Sequence, residues 1–178
     1  MTKPILRRAS NRLLHLLARF SPGATSFRPW LHRRRGARIG KGTFIGDDVY
    51  IDNEYPECIE VGDHVQISIR AVLIAHTRGP GSIVIQSGAF IGPNAVLICG
   101  AGQVLKIGEG AVIAAGAVIT RSVAPRLYVA PPAVVATARV GTPLPLAKTM
   151  EEFRRGLTPL EHGDSNPSRQ RSQRAEDG

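Results

Sequence analysis

His76 and the polar run Asp52-Asn53-Glu54 are the side chains of this sequence best suited to acid–base chemistry. Histidine titrates near neutral pH, so it can take a proton from a weak nucleophile such as a hydroxyl group as that group attacks. A carboxylate that accepts a hydrogen bond from one imidazole nitrogen orients the ring and leaves the other nitrogen as the base. These residues can work together only if the fold brings the two segments side by side.

An internal repeat of six residues supplies such a fold. Aliphatic residues recur in triplets with members six apart, and small or β-branched residues follow most of them by four positions. The aliphatic positions are Ile39, Ile45, Ile51, Val61, Ile67, Leu73, Ile85, Ile91, Leu97, Ile107, Ile113, Ile119 and Val129. A period of six fits neither a helix nor a simple alternating strand, and it indicates short strands joined by tight turns.

Three such hexapeptides make one triangular coil, and stacked coils bury a column of aliphatic side chains. The breaks between triplets predict loops at 51–61, 73–85, 97–107 and 119–129. Glycine often follows the aliphatic residue, and we expect it there because it adopts the positive φ of a turn. The glycines are Gly40, Gly46, Gly62, Gly92 and Gly108.

The positive charge of the chain is concentrated at its start. The net charge is +9, yet residues 1–38 hold ten Lys or Arg and no acidic residue, whereas residues 39–135 hold six basic and eight acidic residues. No aromatic–basic interleaving accompanies this charge, so we expect no nucleic-acid partner. Residues 4–20 place a broad apolar stripe beside several arginines and predict an amphipathic helix.

The sequence thus divides into a basic helical leader over 1–38, a repeat domain over 39–135 and a C-terminal extension over 136–178. Within the extension, 149–155 predicts a short helix, and the polar composition from about residue 163 predicts disorder. No apolar run reaches 18 residues, and the leader does not have the pattern of a signal peptide. Cys58 and Cys99 are too few for a disulfide framework, which favours the cytosol.

Longer motifs within the repeat resemble the hexapeptide-repeat acyltransferases, and among them the maltose, galactoside and capsule or colanic-acid type O-acetyltransferases. The resemblance covers roughly residues 36–135 and is carried by segments in a family-specific order. They are Val49-Tyr50-Ile51-Asp52-Asn53-Glu54-Tyr55-Pro56, Ile59-Glu60-Val61-Gly62-Asp63, Leu73-Ile74-Ala75-His76, Ala89-Phe90-Ile91-Gly92-Pro93-Asn94-Ala95-Val96-Leu97 and the run from Ile107 to Arg121.

This resemblance implies an all-β fold, a left-handed parallel β-helix that assembles as a homotrimer. It also implies transfer of an acetyl group from acetyl-CoA to a hydroxyl of a sugar, nucleotide-sugar or lipid-linked glycan. His76 matches the catalytic histidine, and Asp52, Asn53 and Glu54 match the corner that binds the acceptor. The residues that match the acetyl-CoA contacts are Pro93, Ala115, Gly116, Thr120 and Arg121.

Three alternatives share this fold. An N-acetyltransferase would act on the nitrogen of an amino sugar, and a scaffold of the same coils would have no activity. A zinc-dependent trimer needs three histidine ligands, whereas the repeats hold only His64 and His76, so we expect no metal. Cys99 has no base near it in the pattern, which disfavours a covalent acyl-cysteine route.

The leader has two interpretations. It can dock on the anionic inner face of a membrane, which would make a cytoplasmic enzyme peripheral there. It can instead cap the open end of the solenoid, with its apolar stripe packed against the first coil. The cap is the favoured expectation because the stripe is wide enough to cover that coil. The remaining histidines, His15, His32, His64 and His162, are expected to have no catalytic part.

Overall fold

A computed structural model describes residues 5–132 and 138–160 of the 178 in the chain. The described residues fall into two compact units, which are divided between Pro131 and Pro132. Within the described ranges, no helix is both long and apolar enough to cross a bilayer.

The first unit begins with two helices and continues as very short strands. The helices are α1 (Ile5–Phe20) and α2 (Phe27–Arg35). The strands are β1 (Arg38–Ile39), β2 (Phe44–Ile45), β3 (Tyr50–Ile51), β4 (Ile59–Val61), β5 (Gln66–Ile67), β6 (Val72–Thr77), β7 (Ser82–Ile85), β8 (Phe90–Ile91), β9 (Val96–Gly100), β10 (Val104–Ile107), β11 (Val112–Ile113), β12 (Val118–Ile119) and β13 (Tyr128–Val129). One 3₁₀ turn, Pro56–Cys58, interrupts the first coil.

These strands make three parallel sheets, which are the three faces of a β-helix. Face A contains β1, β4, β7 and β10, face B contains β2, β5, β8, β11 and β13, and face C contains β3, β6, β9 and β12. Each strand pairs with the strand one coil further on, so Ile51 lies beside Leu73 and Leu73 beside Leu97. The parallel β-helix predicted from the period of six is confirmed.

The core consists of the aliphatic columns that the repeat defined. The twelve aliphatic residues of the four triplets are all buried, and Val129 packs against them from the last strand. Alanines such as Ala71 and Ala95 fill the space between the columns. Ala101 is an exception because it lies in an exposed turn after β9, where the chain leaves the coil.

The expectation that the glycines after the aliphatic residues adopt a positive φ is wrong. None of the five has a positive φ. A Cβ atom on Gly46 would lie 2.7 Å from the backbone nitrogen of Ile69, and one on Gly92 would lie 2.6 Å from that of Ala115. Glycine is required at these positions because the backbone of the next coil passes too close for a side chain.

Helix α2 covers the open end of the first coil through polar contacts. Arg28 donates to the carbonyls of Ser21 and Ile45, at 2.6 and 3.0 Å. At the other end of the helix, Arg35 donates to the carbonyls of Ile51 and Asp52, at 3.0 and 2.8 Å. These side chains satisfy first-coil carbonyl groups that would otherwise be buried without a donor.

Helix α1 exists as predicted, but the expectation that its apolar stripe packs on the first coil is wrong. The buried residues of α1 are Asn11, His15 and Ala18, and the large apolar side chains face outward. The helix is held to the coil by polar groups, since Arg19 Nε donates to Asp48 Oδ1 at 2.6 Å. The His15 ring also packs edge-on against the Tyr50 ring, with 4.8 Å between centroids.

The described part of the second unit is a small α+β arrangement. Strand β14 (Ala138–Val140) pairs antiparallel with β15 (Leu157–Pro159), and helix α3 (Met150–Arg155) lies between them in sequence. Thr149 caps α3, because its hydroxyl accepts from the Glu152 amide at 3.1 Å. The short helix predicted over 149–155 is confirmed, and the tail predicted to be disordered from about 163 lies outside the described residues.

Burial keeps two histidines of the leader neutral. Desolvation, with the nearby Arg35 and Arg19, lowers the pKa of His15 from 6.5 to about 4. Desolvation and Arg35 also lower the pKa of His32 well below its usual value. In the unfolded chain both would titrate near 6.5, so the unfolded state binds more protons between pH 6.5 and 4.

We therefore expect the free energy of unfolding to fall as the pH is lowered from 6.5 to 4. His15 alone should account for about 3 kcal/mol of this loss, and His32 should add to it. His15→Leu should make the decrease shallower, as measured by urea denaturation at a series of pH values.

His64→Asn is the matched control, since His64 is exposed in a turn with φ near 54°, which asparagine tolerates. Its pH dependence should follow that of the unmodified protein. The same slope in the His15→Leu variant would show that His15 does not contribute to the loss of stability in acid.

Candidate active site

His76 and Asp52 lie on the same edge of face C, where the strands end. Asp52 comes directly after β3, and His76 lies near the end of β6 on the next coil. Because Ile51 lies beside Leu73, the residues that follow each of them lie at the same edge of face C. The stacking of coils thus brings together two segments that are distant in sequence.

A short hydrogen bond joins the two side chains. The distance between His76 Nδ1 and Asp52 Oδ2 is 2.5 Å. The Asp52 side chain is fully buried, whereas 33% of the His76 side chain is exposed. An ionised carboxylate only accepts hydrogen bonds, so Nδ1 donates and the free Nε2 is the proton acceptor.

Backbone groups hold the Asp52 carboxylate in place. Oδ2 also accepts from the Ala75 amide at 2.8 Å, and Oδ1 accepts from the amides of Glu54 and Tyr55, at 3.0 and 2.9 Å. Four donors therefore surround a buried carboxylate, which compensates for its loss of water. This corner was expected either to bind the acceptor or to orient the imidazole. Asp52 has the geometry for orienting the imidazole, because neither of its carboxylate oxygens is directed at solvent.

Arg35 of α2 supports the same corner from inside the protein. One guanidinium nitrogen donates to the carbonyls of Ile51 and Asp52 and lies 3.3 Å from Asn53 Oδ1. Burial lowers the pKa of Arg35 to about 10, so the side chain stays positively charged at neutral pH. Sequence reasoning missed Arg35 because Arg33, Arg34 and Arg35 are consecutive, and the sequence does not show which of them turns inward.

The other residues of this corner are half-buried around His76. The Glu54 carboxylate accepts from Arg8 of α1 at 3.0 Å. The Tyr55 ring, which sequence reasoning also missed, lies 5.7 Å from the His76 ring. Asn53, Glu54 and Tyr55 follow Asp52 directly, and the Tyr55 ring is near the imidazole, so these three residues are candidates for contact with an acceptor.

The residues assigned to acetyl-CoA by resemblance lie at two corners of the β-helix. Thr120 and Arg121 follow β12, so they lie on the same edge of face C as His76, two coils further along. Pro93 precedes β9, and Ala115 and Gly116 precede β12, which places them at the opposite edge of face C. Within this chain the structure brings only the first pair to the edge that carries the histidine.

The exposed groups at these corners fit a long, phosphate-bearing co-substrate. Arg121 is exposed, and among residues 5–132 and 138–160 no ion pair of its guanidinium is found. Gly116 has a φ of 70°, and a Cβ there would meet nothing within 4 Å of the described atoms. The Ala115 amide likewise has no acceptor in the described part of the chain. A free cation and an open stretch of backbone suit a phosphate and an amide-containing arm, respectively.

Comparison with solved structures identifies the architecture. A maltose O-acetyltransferase from Clostridium difficile 630 superposes with a TM-score of 0.54 at 16% identity, over 71% of this chain and 82% of that one. The hexapeptide-repeat acetyltransferase VCA0836 from Vibrio cholerae O1 biovar eltor, in complex with acetyl-CoA, gives 0.53 at 19% identity, with 71% and 82% covered. The chain has the fold of the hexapeptide-repeat acetyltransferases.

Sequence comparison agrees with this result. The chain is 28% identical over 162 residues to YvoF of Bacillus subtilis strain 168, a protein provisionally named an acetyltransferase. The alignment covers 88% of this chain and 86% of the relative. No protein-family model matches the chain. The resemblance stated from the hexapeptide motifs is confirmed.

We predict that Asp52→Asn changes the tautomer of His76. The asparagine amide can donate to Nδ1, which would move the ring proton to Nε2 and remove the exposed acceptor. Nitrogen chemical shifts of isotope-labelled histidine should show Nδ1 protonated in the unmodified protein and Nε2 protonated in the variant.

Glu54→Gln is the matched control because it removes a neighbouring carboxylate that pairs with Arg8, whereas the partner of His76 Nδ1 is Asp52. Its His76 spectrum should equal that of the unmodified protein. An unchanged tautomer in Asp52→Asn would contradict the assignment of Asp52 as the orienting group.

Proposed function

We propose that the protein transfers the acetyl group of acetyl-CoA to a hydroxyl group of a sugar or glycan, with His76 as general base. The observation that carries the proposal is the half-exposed His76 held by a buried carboxylate on the edge of the β-helix. The names of similar proteins support the reaction class, since they include a maltose O-acetyltransferase and an acetyltransferase solved with acetyl-CoA.

The geometry of the pair explains how the proton would move. His76 Nε2 accepts the proton of the acceptor hydroxyl as its oxygen forms a bond to the acyl carbon. The imidazolium that results is stabilised by the buried Asp52 carboxylate, which four donors hold in place. The proton then leaves with the thiol product, so the histidine is neutral again for the next turnover.

Acetyl-CoA supplies the activated acyl group, and this chain supplies groups to hold it. We assign the phosphate contact to Arg121 with Thr120, and the amide contacts of the arm to the backbone around Ala115 and Gly116, beside Pro93. An Arg–phosphate contact is a charge-assisted hydrogen bond, which is stronger than a neutral one. The exposed backbone near Ala115 can also donate to the oxygen that becomes negative during the reaction.

The acceptor would contact the corner formed by Asn53, Glu54 and Tyr55. Polar oxygens beside an aromatic ring suit a carbohydrate, because its hydroxyl groups need partners and its CH groups pack on the ring. Such a corner is compatible with a free sugar, a nucleotide-sugar or a lipid-linked glycan. We propose the cytoplasm as the location of this reaction, which suits a chain with only two cysteines.

We also propose a homotrimer, because two of the three faces are apolar on the outside. The outward residues of face C are Tyr50, Val72, Val96 and Val118, and those of face B include Phe44, Phe90, Val112 and Tyr128. Face A is the most polar of the three, because the ion pair Arg38–Glu60, Ser82 and Lys106 lie beside Val84 and Val104 on its outside. A subunit of a closed trimer contacts two neighbours, so it needs two apolar faces and leaves one in water.

The trimer would also complete the site. Pro93, Ala115 and Gly116 lie across face C from His76 within one chain. If face C packs against a neighbour, groups from two subunits can line one groove along which the co-substrate extends. This arrangement would give three equivalent sites in the assembly.

We expect His76→Ala to abolish turnover while acetyl-CoA binding and folding are retained. A base acts in the transition state, so kcat should fall by roughly 10²–10⁴-fold with little change in the dissociation constant for the co-substrate. Release of free thiol with a panel of sugars and nucleotide-sugars measures the first quantity, and calorimetry with CoA measures the second.

Arg121→Ala should show the reverse pattern in the same assays. Loss of a phosphate contact should weaken the binding of acetyl-CoA by roughly tenfold to a hundredfold, and the binding of dephospho-CoA or pantetheine donors much less.

Full activity of His76→Ala would remove the histidine from the mechanism. Activity only with amino sugars would make the protein an N-acetyltransferase, and CoA binding without any turnover would favour the scaffold.

Assembly is tested by light scattering at micromolar concentration, where we expect three times the chain mass. Val96→Lys, on the outside of face C, should dissociate the trimer because it places a charge in a subunit interface. Val84→Lys makes the same change on face A and should leave the trimer intact. A monomer with full activity, or dissociation by both variants alike, would contradict this arrangement.

A further inference from the structure

Helix α1 presents its apolar side to solvent. Leu6 is 85% exposed and Phe20 is 70% exposed, and Ile5, Leu13, Leu16 and Leu17 are exposed as well. On the opposite side, Asn11 and His15 are only 5% and 4% exposed. The helix is therefore oriented with its polar side inward, which is the reverse of an ordinary surface helix.

The six exposed residues form one continuous surface, which we call the leader strip (Ile5, Leu6, Leu13, Leu16, Leu17 and Phe20). At 3.6 residues per turn they occupy about one third of the helix circumference. Ala9 lies within the same arc, and no charged residue interrupts it. A contiguous apolar surface of this kind marks an interaction site.

Attachment of α1 to the β-helix does not use the leader strip. The helix is fixed by the contacts of Arg19 with Asp48 and of Arg8 with Glu54, and by the Asp48 amide, which donates to the Arg19 carbonyl at 2.9 Å. His15 packs against Tyr50 from the inward side. Because these contacts hold the helix in one orientation, they also hold the strip outward.

The charges beside the leader strip indicate which kind of partner the strip can bind. Helix α1 contains Arg7, Arg8, Arg12 and Arg19 and no acidic residue. On a helical projection, Arg8, Arg12 and Arg19 border one side of the strip and Arg7 lies beyond the other. Arg7 and Arg12 are exposed, so their charges remain available at the surface.

We propose that α1 binds the surface of membranes that contain anionic lipids. The leader strip would enter the boundary between head groups and acyl chains, and the arginines beside it would contact the lipid phosphates. Helix α2 of the same unit also exposes Phe27 and Trp30, with the Arg34 guanidinium over the Trp30 ring, and this combination is common at membrane interfaces. The inference rests on the leader alone and does not depend on the proposed acetyl transfer.

A second copy of α1 fits the strip less well. A two-fold contact between strips would bring the arginine borders of both helices together, with no carboxylate on either helix to compensate. Anionic lipid supplies the opposite charge along both borders. If the protein is a cyclic trimer, three copies of α1 lie at the same end of the assembly, and simultaneous binding would strengthen attachment further.

Flotation of the full-length protein with lipid vesicles tests the proposal. Vesicles of phosphatidylcholine alone are compared with vesicles that contain about one third phosphatidylglycerol, in low salt and in high salt. We expect the protein to float with the anionic vesicles in low salt, at least tenfold less with neutral vesicles, and less in high salt because the charges are screened.

Two sets of variants separate the strip from the charges. Leu13→Glu with Leu17→Glu should reduce binding to anionic vesicles by tenfold or more, and Arg7→Gln with Arg12→Gln should reduce it on the order of tenfold. The matched control is Val104→Glu with Leu127→Glu, which adds the same charge at exposed apolar residues outside α1 and should cost far less binding. Leu13→Ser with Leu17→Ser, checked by circular dichroism, replaces the first pair if it does not fold.

Three results would overturn the proposal. They are failure of the unmodified protein to rise with anionic vesicles in low salt, an equal loss of binding in the control pair and the strip pair, and a changed oligomeric state with unchanged flotation in the strip variants. The last result would assign the strip to contacts between copies of the chain. Acetyl-transfer activity toward soluble acceptors, measured on the same variants, should be unchanged, so failure of docking is distinguishable from failure of the proposed reaction.

Discussion

The backbone of each coil must return to the same position above the coil before it, because the hydrogen bonds of the β-helix run between coils. The Gly46 amide donates to the Ile67 carbonyl at 2.8 Å, and the Ser68 amide donates to the Ile91 carbonyl at the same distance. Adjacent strands in such a sheet lie about 4.8 Å apart. This spacing stacks the aliphatic columns, and it leaves no room for a side chain at Gly46.

The candidate site depends on the same constraint. Asp52 and His76 meet because Ile51 and Leu73 lie side by side in the columns that precede them. The period of six was therefore enough to predict the fold, the columns and the coil relation between the two side chains. The sequence left open which polar residue of the 52–54 run faces the histidine, because the chain leaves the repeat there and its path depends on hydrogen bonds to backbone amides.

Two other features were not predictable from the pattern, for a common physical reason. Hydrophobic periodicity assumes that the apolar side of a helix faces the protein, and the first coil offers α1 mostly polar partners such as Asp48 and Tyr50. The His15 ring packs edge-on against Tyr50 and Arg19 pairs with Asp48, so the apolar side is left outside. Arg35 was missed likewise because its role depends on carbonyl groups, which composition does not show.

The leader therefore has an inner side that binds the first coil and an outer side that is exposed, and the sequence alone does not show which residues lie on which side. On its inner side, α2 gives the carbonyls of the first coil the donors that a preceding coil would give, and through Arg35 it fixes the carbonyls on either side of the carboxylate that orients His76. These buried polar contacts are specific in direction, which apolar packing is not. Because the inner side of the leader makes these polar contacts, the apolar residues of α1 lie outside the core. The leader thus closes the solenoid with hydrogen bonds and exposes an apolar surface, and the arginines beside that surface are the basis of the proposed contact with anionic lipid.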